Sequence, residues 1–325
     1  MPLLKVFNVL SVLVVFGLAI QPVKATPPAV TAPPAVVAPP AVAVSIPPLH
    51  SLVAAVMEGI GKPALLSPGG TSPHRAMLRP STARHLAEAD LVFWVGPELE
   101  NFLETPLKRL SEKSGAKIIA LLHAPGIFRR EARHLHRDTD SESHNPDANY
   151  QLDPHFWLDP ENAIRIVAIV AEQLGEANPE RTAIYRQNRD RTIARLRALD
   201  LEIRRKLAPL AGIPYLVFHD SYAYLEGRYD LGPSQAVAID PERRAGPRRI
   251  VALRRKITEN AFRCLFHEPQ FTAPILARLR EGSDISTAPL DPLGSGLTPS
   301  PDLYFQMMQT NATSLQNCLM PARDG

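Results

Sequence analysis

Short apolar runs alternate with segments of helical periodicity along this chain, and a single long helical stretch divides the alternation into two series. The first series has strand-like runs at Val42–Ile46, Ala64–Ser67, Leu91–Gly96 and Lys117–Leu122. The second has them at Tyr215–Phe218, Ala236–Ile239, Cys264–Phe266 and Ile285–Leu290. Apolar strands separated by helices have both faces covered, which is the signature of a parallel α/β sheet. The helices are expected at Leu49–Gly61, from Pro80 with Ser81 as N-cap, at Leu99–Leu110, and from Pro160 to Gly175 with Asp159 as N-cap. They continue at Pro247–Glu259, Ala273–Glu281 and Pro301–Cys318.

Asn178–Pro179–Glu180 is a helix start of cap, first-turn proline and acidic residue, and the pattern it opens runs to Leu207. At the α-helical rise such a helix reaches roughly 45 Å, long enough to span two lobes. The fold class is therefore α/β: an N-terminal lobe over 42–177, a linking helix over 178–210 and a C-terminal lobe over 211–325.

The first residues read as an address rather than as structure. Lys5 precedes a nearly unbroken apolar stretch, Val6–Ile20, and Val23–Lys24–Ala25 offers the apolar and small positions of a signal-peptidase site. Residues 1–25 are expected to be a signal peptide, and 26–41 a Pro/Ala-rich spacer that stays extended. The mature protein is then expected to be soluble and exported. With 45% hydrophobic and 21% charged residues and a net charge of +3, the composition is that of a globular protein. The arginines are spread along helical stretches without interleaved aromatics, which argues against a nucleic-acid partner. Two cysteines occur, Cys264 and Cys318. Export favours a disulfide between them, which would contribute roughly 4 kcal/mol in the chain-entropy model; the alternative is a pair of buried free thiols.

Three histidines far apart in sequence adjoin apolar runs: His74, His155 at the head of His155–Phe156–Trp157–Leu158–Asp159–Pro160, and His219 at the end of Tyr215–Leu216–Val217–Phe218–His219. Side chains at strand ends point into the crevice where α/β proteins bind ligands. Three imidazoles converging there form the nitrogen set that zinc prefers. Between Arg129 and Tyr150 the apolar pattern disappears and His134, His136 and His144 occur, either as a solvated insertion or as a loose metal-capturing loop.

Several ordered motifs carry a family resemblance. They are Leu78–Arg79–Pro80–Ser81, Ala89–Asp90–Leu91–Val92–Phe93–Trp94–Val95–Gly96–Pro97–Glu98, the His155 motif, His219–Asp220–Ser221–Tyr222–Ala223–Tyr224, Glu268–Pro269–Gln270–Phe271 and Leu290–Asp291–Pro292–Leu293–Gly294. In this order they resemble the periplasmic zinc-binding components of ABC transporters, the high-affinity zinc-uptake solute-binding proteins. The resemblance spans about Val42 to Leu319. It implies two α/β lobes with parallel sheets joined by one long rigid helix, with the metal in the interlobe cleft. It also implies metal ligation by His74, His155 and His219, with Asp291 or water at the fourth position, because Pro73 stands where some members carry an acidic residue. A Cys264–Cys318 disulfide is implied as well. Asp159, Asp220 and Glu268 are the acids expected to orient the imidazoles.

The function so implied is capture of Zn²⁺ as a transported ligand and its delivery to a membrane permease, by a monomeric protein that is not an enzyme. A carboxylate stands in manganese-type relatives where this chain has His219. The alternatives are a manganese- or iron-type protein or adhesin of the same fold, and a zinc-dependent hydrolase. The latter lacks an HExxH-type helix and a nucleophile motif.

Overall fold

In the computed structural model, which describes residues 38–68, 72–75, 77–133, 152–238, 246–259, 261–269 and 274–320, the strand runs pair into two four-stranded parallel sheets. The first contains β1 (Val42–Val44), β2 (Ala64–Leu65), β3 (Leu91–Trp94) and β4 (Lys117–Ala120), in the order β2-β1-β3-β4. The second contains β5 (Leu216–His219), β6 (Gln235–Ala238), β7 (Cys264–His267) and β8 (Ser286–Pro289), in the order β6-β5-β7-β8. The two sheets thus repeat one topology. In each, the chain reverses its direction of growth beside the first strand, and that switch point is where open α/β sheets bind ligands.

The helices are α1 (Pro47–Val56), α2 (Pro80–Ala87), α3 (Pro97–Ser114), α4 (Pro160–Ala177), α5 (Thr182–Leu207), α6 (Ala223–Tyr229), α7 (Pro247–Thr258), α8 (Pro274–Arg280) and α9 (Leu303–Leu319). Alternation along the strands sorts side chains onto two faces. Val42, Val44, Leu91 and Phe93 enter one large core, whereas Ala43, Val92 and Trp94 enter a smaller one with Leu86, Leu103 and Leu107 from α2 and α3. In the second sheet Val217, Cys264 and Phe266 join the large core, and Leu216, Val237 and Leu265 pack with Leu253, Ile257 and Leu279 from α7 and α8. The large core is continuous from one sheet to the other. Leu196, Leu199, Ile203 and Leu207 of α5 belong to it, and α5 packs on α1, α4 and α9.

Some local expectations are corrected. The long helix opens with a 3-10 turn, Pro179–Arg181, and its α-helical part of 26 residues spans about 39 Å. Asn178 makes no side-chain cap bond there, whereas Asp159 does cap α4 by accepting from Glu161 N–H at 2.9 Å. Helix α2 starts at Pro80 with Arg79 at the N-cap, so Ser81 lies inside the helix. Helix α1 likewise begins at Pro47, ahead of Leu49, because proline suits a first turn whose N–H groups have no helical partner. Gly96, between β3 and α3, has φ +147°, and a Cβ there would stand 2.7 Å from Glu98 Oε2. The segments read as signal peptide and, in all but its last residues, as spacer lie outside the described residues, as do His134, His136 and His144.

Candidate metal centre

His219 is the last residue of β5, at the switch point of the second sheet. His155 does not end a strand, contrary to the sequence expectation: it precedes the 3-10 turn Phe156–Leu158 that leads into α4. His74 sits in another 3-10 turn, Pro73–Arg75, which follows β2 and packs on α3. These two turns and the end of β5 bring the three imidazoles together, with ring centroids 4.9 Å apart for His155–His219, 5.2 Å for His74–His219 and 5.7 Å for His74–His155. One ligand atom from each lies within 4.8 Å of the others. Nitrogens of a tetrahedral zinc site are about 3.3 Å apart at the usual bond length, so sub-ångström to ångström movements bring the rings to that spacing.

Two of the rings are oriented by carboxylates. Asp153 Oδ1 accepts from His155 Nδ1 at 2.8 Å, and Glu268 Oε1 accepts from His219 Nδ1 at 3.2 Å. A proton held on Nδ1 leaves Nε2 as the donor atom toward a metal. His74 Nε2 is buried without a hydrogen-bond partner. Trp157 lies beside the cluster, its ring centroid 5.4 Å from that of His155, and its indole N–H donates to Pro292 O at 2.8 Å. Tyr304 O–H then donates to Trp157 O at 2.8 Å, which ties α9 to the His155 turn.

The electrostatics differ among the three. Burial lowers the pKa of His74 and His155 well below the ordinary histidine value, and the neighbouring His219 lowers both further. These rings are neutral at neutral pH, the form that binds metal. Burial also works against a charge on His219, but the charge and hydrogen bond of Glu268, with Asp220 and Asp153 behind them, outweigh it and raise the pKa. Burial pushes the Asp153 carboxyl up to about 6, against the opposing bond from His155 N–H and the charge of Arg133.

The other residues singled out in the sequence divide clearly. Asp291 is not in the cluster: its carboxylate closes its own turn, accepting from Leu293 N–H at 2.9 Å, Gly294 N–H at 3.0 Å and Ser295 N–H at 2.6 Å. Asp220 pairs with Arg133, and Asp159 caps α4, so of the three acids expected to orient imidazoles only Glu268 does so. Asp153 is the partner that motif reading missed. Its signal was local: an acid two residues before a histidine across a proline, Asp153–Pro154–His155. His50 is bonded to Pro63 O at 3.1 Å and His123 to Glu98 at 2.7 Å, both outside the cluster. Cys264 and Cys318 form a disulfide that joins the start of β7 to the end of α9.

Known proteins are similar to this chain in sequence and in fold. The family model described as ZnuA, zinc-uptake complex component A, periplasmic, matches residues 42–318. The high-affinity zinc uptake system protein ZnuA of Brucella abortus (strain 2308) is 36% identical over 304 residues, covering 85% of this chain and 90% of the relative. The protein of the same name from Yersinia pestis is 31% identical over 298 residues, with 85% and 90% covered. Among solved structures, a crystal structure of ZnuA aligns with a TM-score of 0.73 at 23% identity, covering 86% of this chain and 99% of that one.

Proposed function

The chain belongs to the periplasmic zinc-uptake complex component A family, and on that premise we propose that it captures Zn²⁺ with His74, His155 and His219 and delivers it to the membrane permease of an ABC transporter. The observation that carries this reading is the convergence of three imidazole donors, from one strand end and two separate 3-10 turns, to within 4.8 Å. Imidazole suits zinc better than the oxygen ligands that manganese prefers. Asp153 and Glu268 support the reading because each leaves Nε2 of its histidine free for a metal. Water takes the fourth position, since the Asp291 carboxylate already accepts from three backbone N–H groups. The chain is a binding protein of the periplasm: Val6–Ile20 exports it and cleavage follows Ala25.

Nanomolar affinity corresponds to about −12 kcal/mol, within reach of three preformed ligands and a water. The test is zinc stoichiometry and affinity of purified His155→Ala and His219→Ala variants by competition with a chromophoric chelator. Each is expected to lose tight binding of one zinc per chain. Tight stoichiometric zinc retained in both would overturn the site.

A further inference from the structure

Asp153, Asp220, Glu268 and Asp291 are each already engaged by hydrogen bonds within the protein. Asp153 and Glu268 face imidazole Nδ1 atoms, and Asp291 faces backbone N–H groups. Asp220 follows His219 directly in the chain, and its charge acts on both His155 and His219. It is held by a cationic side chain: Arg133 Nη2 donates to its Oδ1. The other arm of the same guanidinium, Nη1, donates to Glu226 Oε2 at 2.5 Å. Glu226 is itself fixed, because its Oε1 accepts from Tyr215 O–H at 3.1 Å and Ser234 N–H at 3.2 Å. The side chains of Arg133, Asp220 and Glu226 are 20%, 14% and 5% exposed, so solvent screens the pairing far less than it would at the surface. Arg133 is also held from its own side. Glu131 bridges to Leu152, and Asp153 N–H donates to Arg130 O at 2.9 Å, so the guanidinium projects from a short antiparallel pin beside His155.

A carboxylate released here would stand next to the cluster as an oxygen donor, and oxygen donors favour manganese over zinc relative to an imidazole set. We propose that Arg133 is a specificity-determining residue: by clamping Asp220 against the fixed Glu226 it keeps that carboxylate out of the metal's ligand set and holds the site to nitrogen donors. Lysine cannot replace it, because a point charge lacks the fork that engages both acids at once. The inference rests on the three-histidine reading of the site.

The experiment measures Zn²⁺ and Mn²⁺ affinities of the full chain, of Arg133→Gln, and of Arg133→Gln combined with Asp220→Asn, with the visible spectrum of the Co²⁺-loaded forms as a readout of coordination. In Arg133→Gln the ratio of manganese to zinc affinity is expected to rise about tenfold, the scale of effects from groups behind the ligands, and the cobalt bands are expected to weaken as an oxygen ligand is added. The double variant should return both to the unmodified values. An unchanged ratio in Arg133→Gln, or a gain that survives in the double variant, overturns the proposal. If Arg133→Gln does not fold, Arg133→Lys decides, with a smaller rise expected and an unchanged ratio again overturning it. Failure of the underlying site reading is separately visible, as zinc binding by His219→Ala equal to that of the unmodified chain.

Discussion

Asp153 and His155 are two residues apart, and the carboxylate of the first accepts both the backbone N–H of the second, at 2.9 Å, and its ring Nδ1–H, at 2.8 Å. One side chain therefore sets the backbone of the turn and the tautomer and tilt of the ring. Tyr224 O–H, donating to Asp153 O at 3.1 Å, connects this unit to α6 in the other half of the molecule.

Asp153→Ala removes both bonds while leaving the histidine in place. Zinc affinity is expected to fall by about 10- to 100-fold, the range for a lost carboxylate behind a ligating histidine. Stoichiometry should remain one zinc per chain, measured by chelator competition. A loss as complete as that of His155→Ala would mean that the aspartate is itself a ligand.

Asp291 offers a contrast, since motif order places it beside the histidines whereas its carboxylate accepts from the backbone N–H groups of Leu293, Gly294 and Ser295. Asp291→Ala is expected to destabilise the protein by about 1–3 kcal/mol, because partly buried donors lose a charged acceptor. Its zinc affinity should stay within about tenfold of the unmodified value. Urea unfolding and chelator competition on the same preparation separate the two effects, and a selective collapse of zinc binding would return Asp291 to the ligand set.

The strand and helix order was legible because alternating apolar strands and periodic helices are local patterns, and His219 is visible at a strand end for the same reason. His155 is not, because its turn is shaped by the Asp153 bonds rather than by any strand. The acid partners depend on the topology. Glu268 reaches His219 across 49 residues because β5 and β7 are neighbours, while Asp220, adjacent in sequence, is drawn to Arg133 across 87. Short-range motif membership could not choose between those two acids; the sheet order and one distant arginine did. Helix starts went astray by two residues where proline opens the helix and no side chain caps it, as at Pro47 and Pro97.

The disulfide closes a separation of 54 residues at the start of β7, the opposite end of that strand from Glu268. Loop entropy of that size corresponds to about 4 kcal/mol in the chain-entropy model, with typical measured effects of 2–4. The double substitution Cys264→Ser, Cys318→Ser should lower the unfolding free energy by that amount. Strand length keeps Cys264 about 10 Å from the His267 end, so zinc affinity should not change. Equal stability of the two forms in urea would show that the bridge contributes nothing to folding.

Glu100 supplies a pH dependence unconnected with metal. It is fully buried at a break in α3, with φ −124° and ψ 50°, and its Oε2 accepts from Val95 N–H at 3.0 Å. Burial pushes its carboxyl up from 4.5 to about 7, with hydrogen bonds such as that from Val95 opposing in part. Because the folded-state value is the higher one, the folded protein holds a proton that the unfolded chain has released between those two pH values. Stability from this group is therefore complete below about pH 4.5 and is lost as pH rises through about 7. The full span corresponds to about 3 kcal/mol. Glu100→Gln keeps an acceptor for Val95 without a titrating proton. Urea unfolding of the metal-free proteins should show the variant gaining on the unmodified chain across that interval and holding a constant lead above it. Parallel profiles from pH 4.5 to 8 would mean that Glu100 does not titrate in the folded protein as its burial requires.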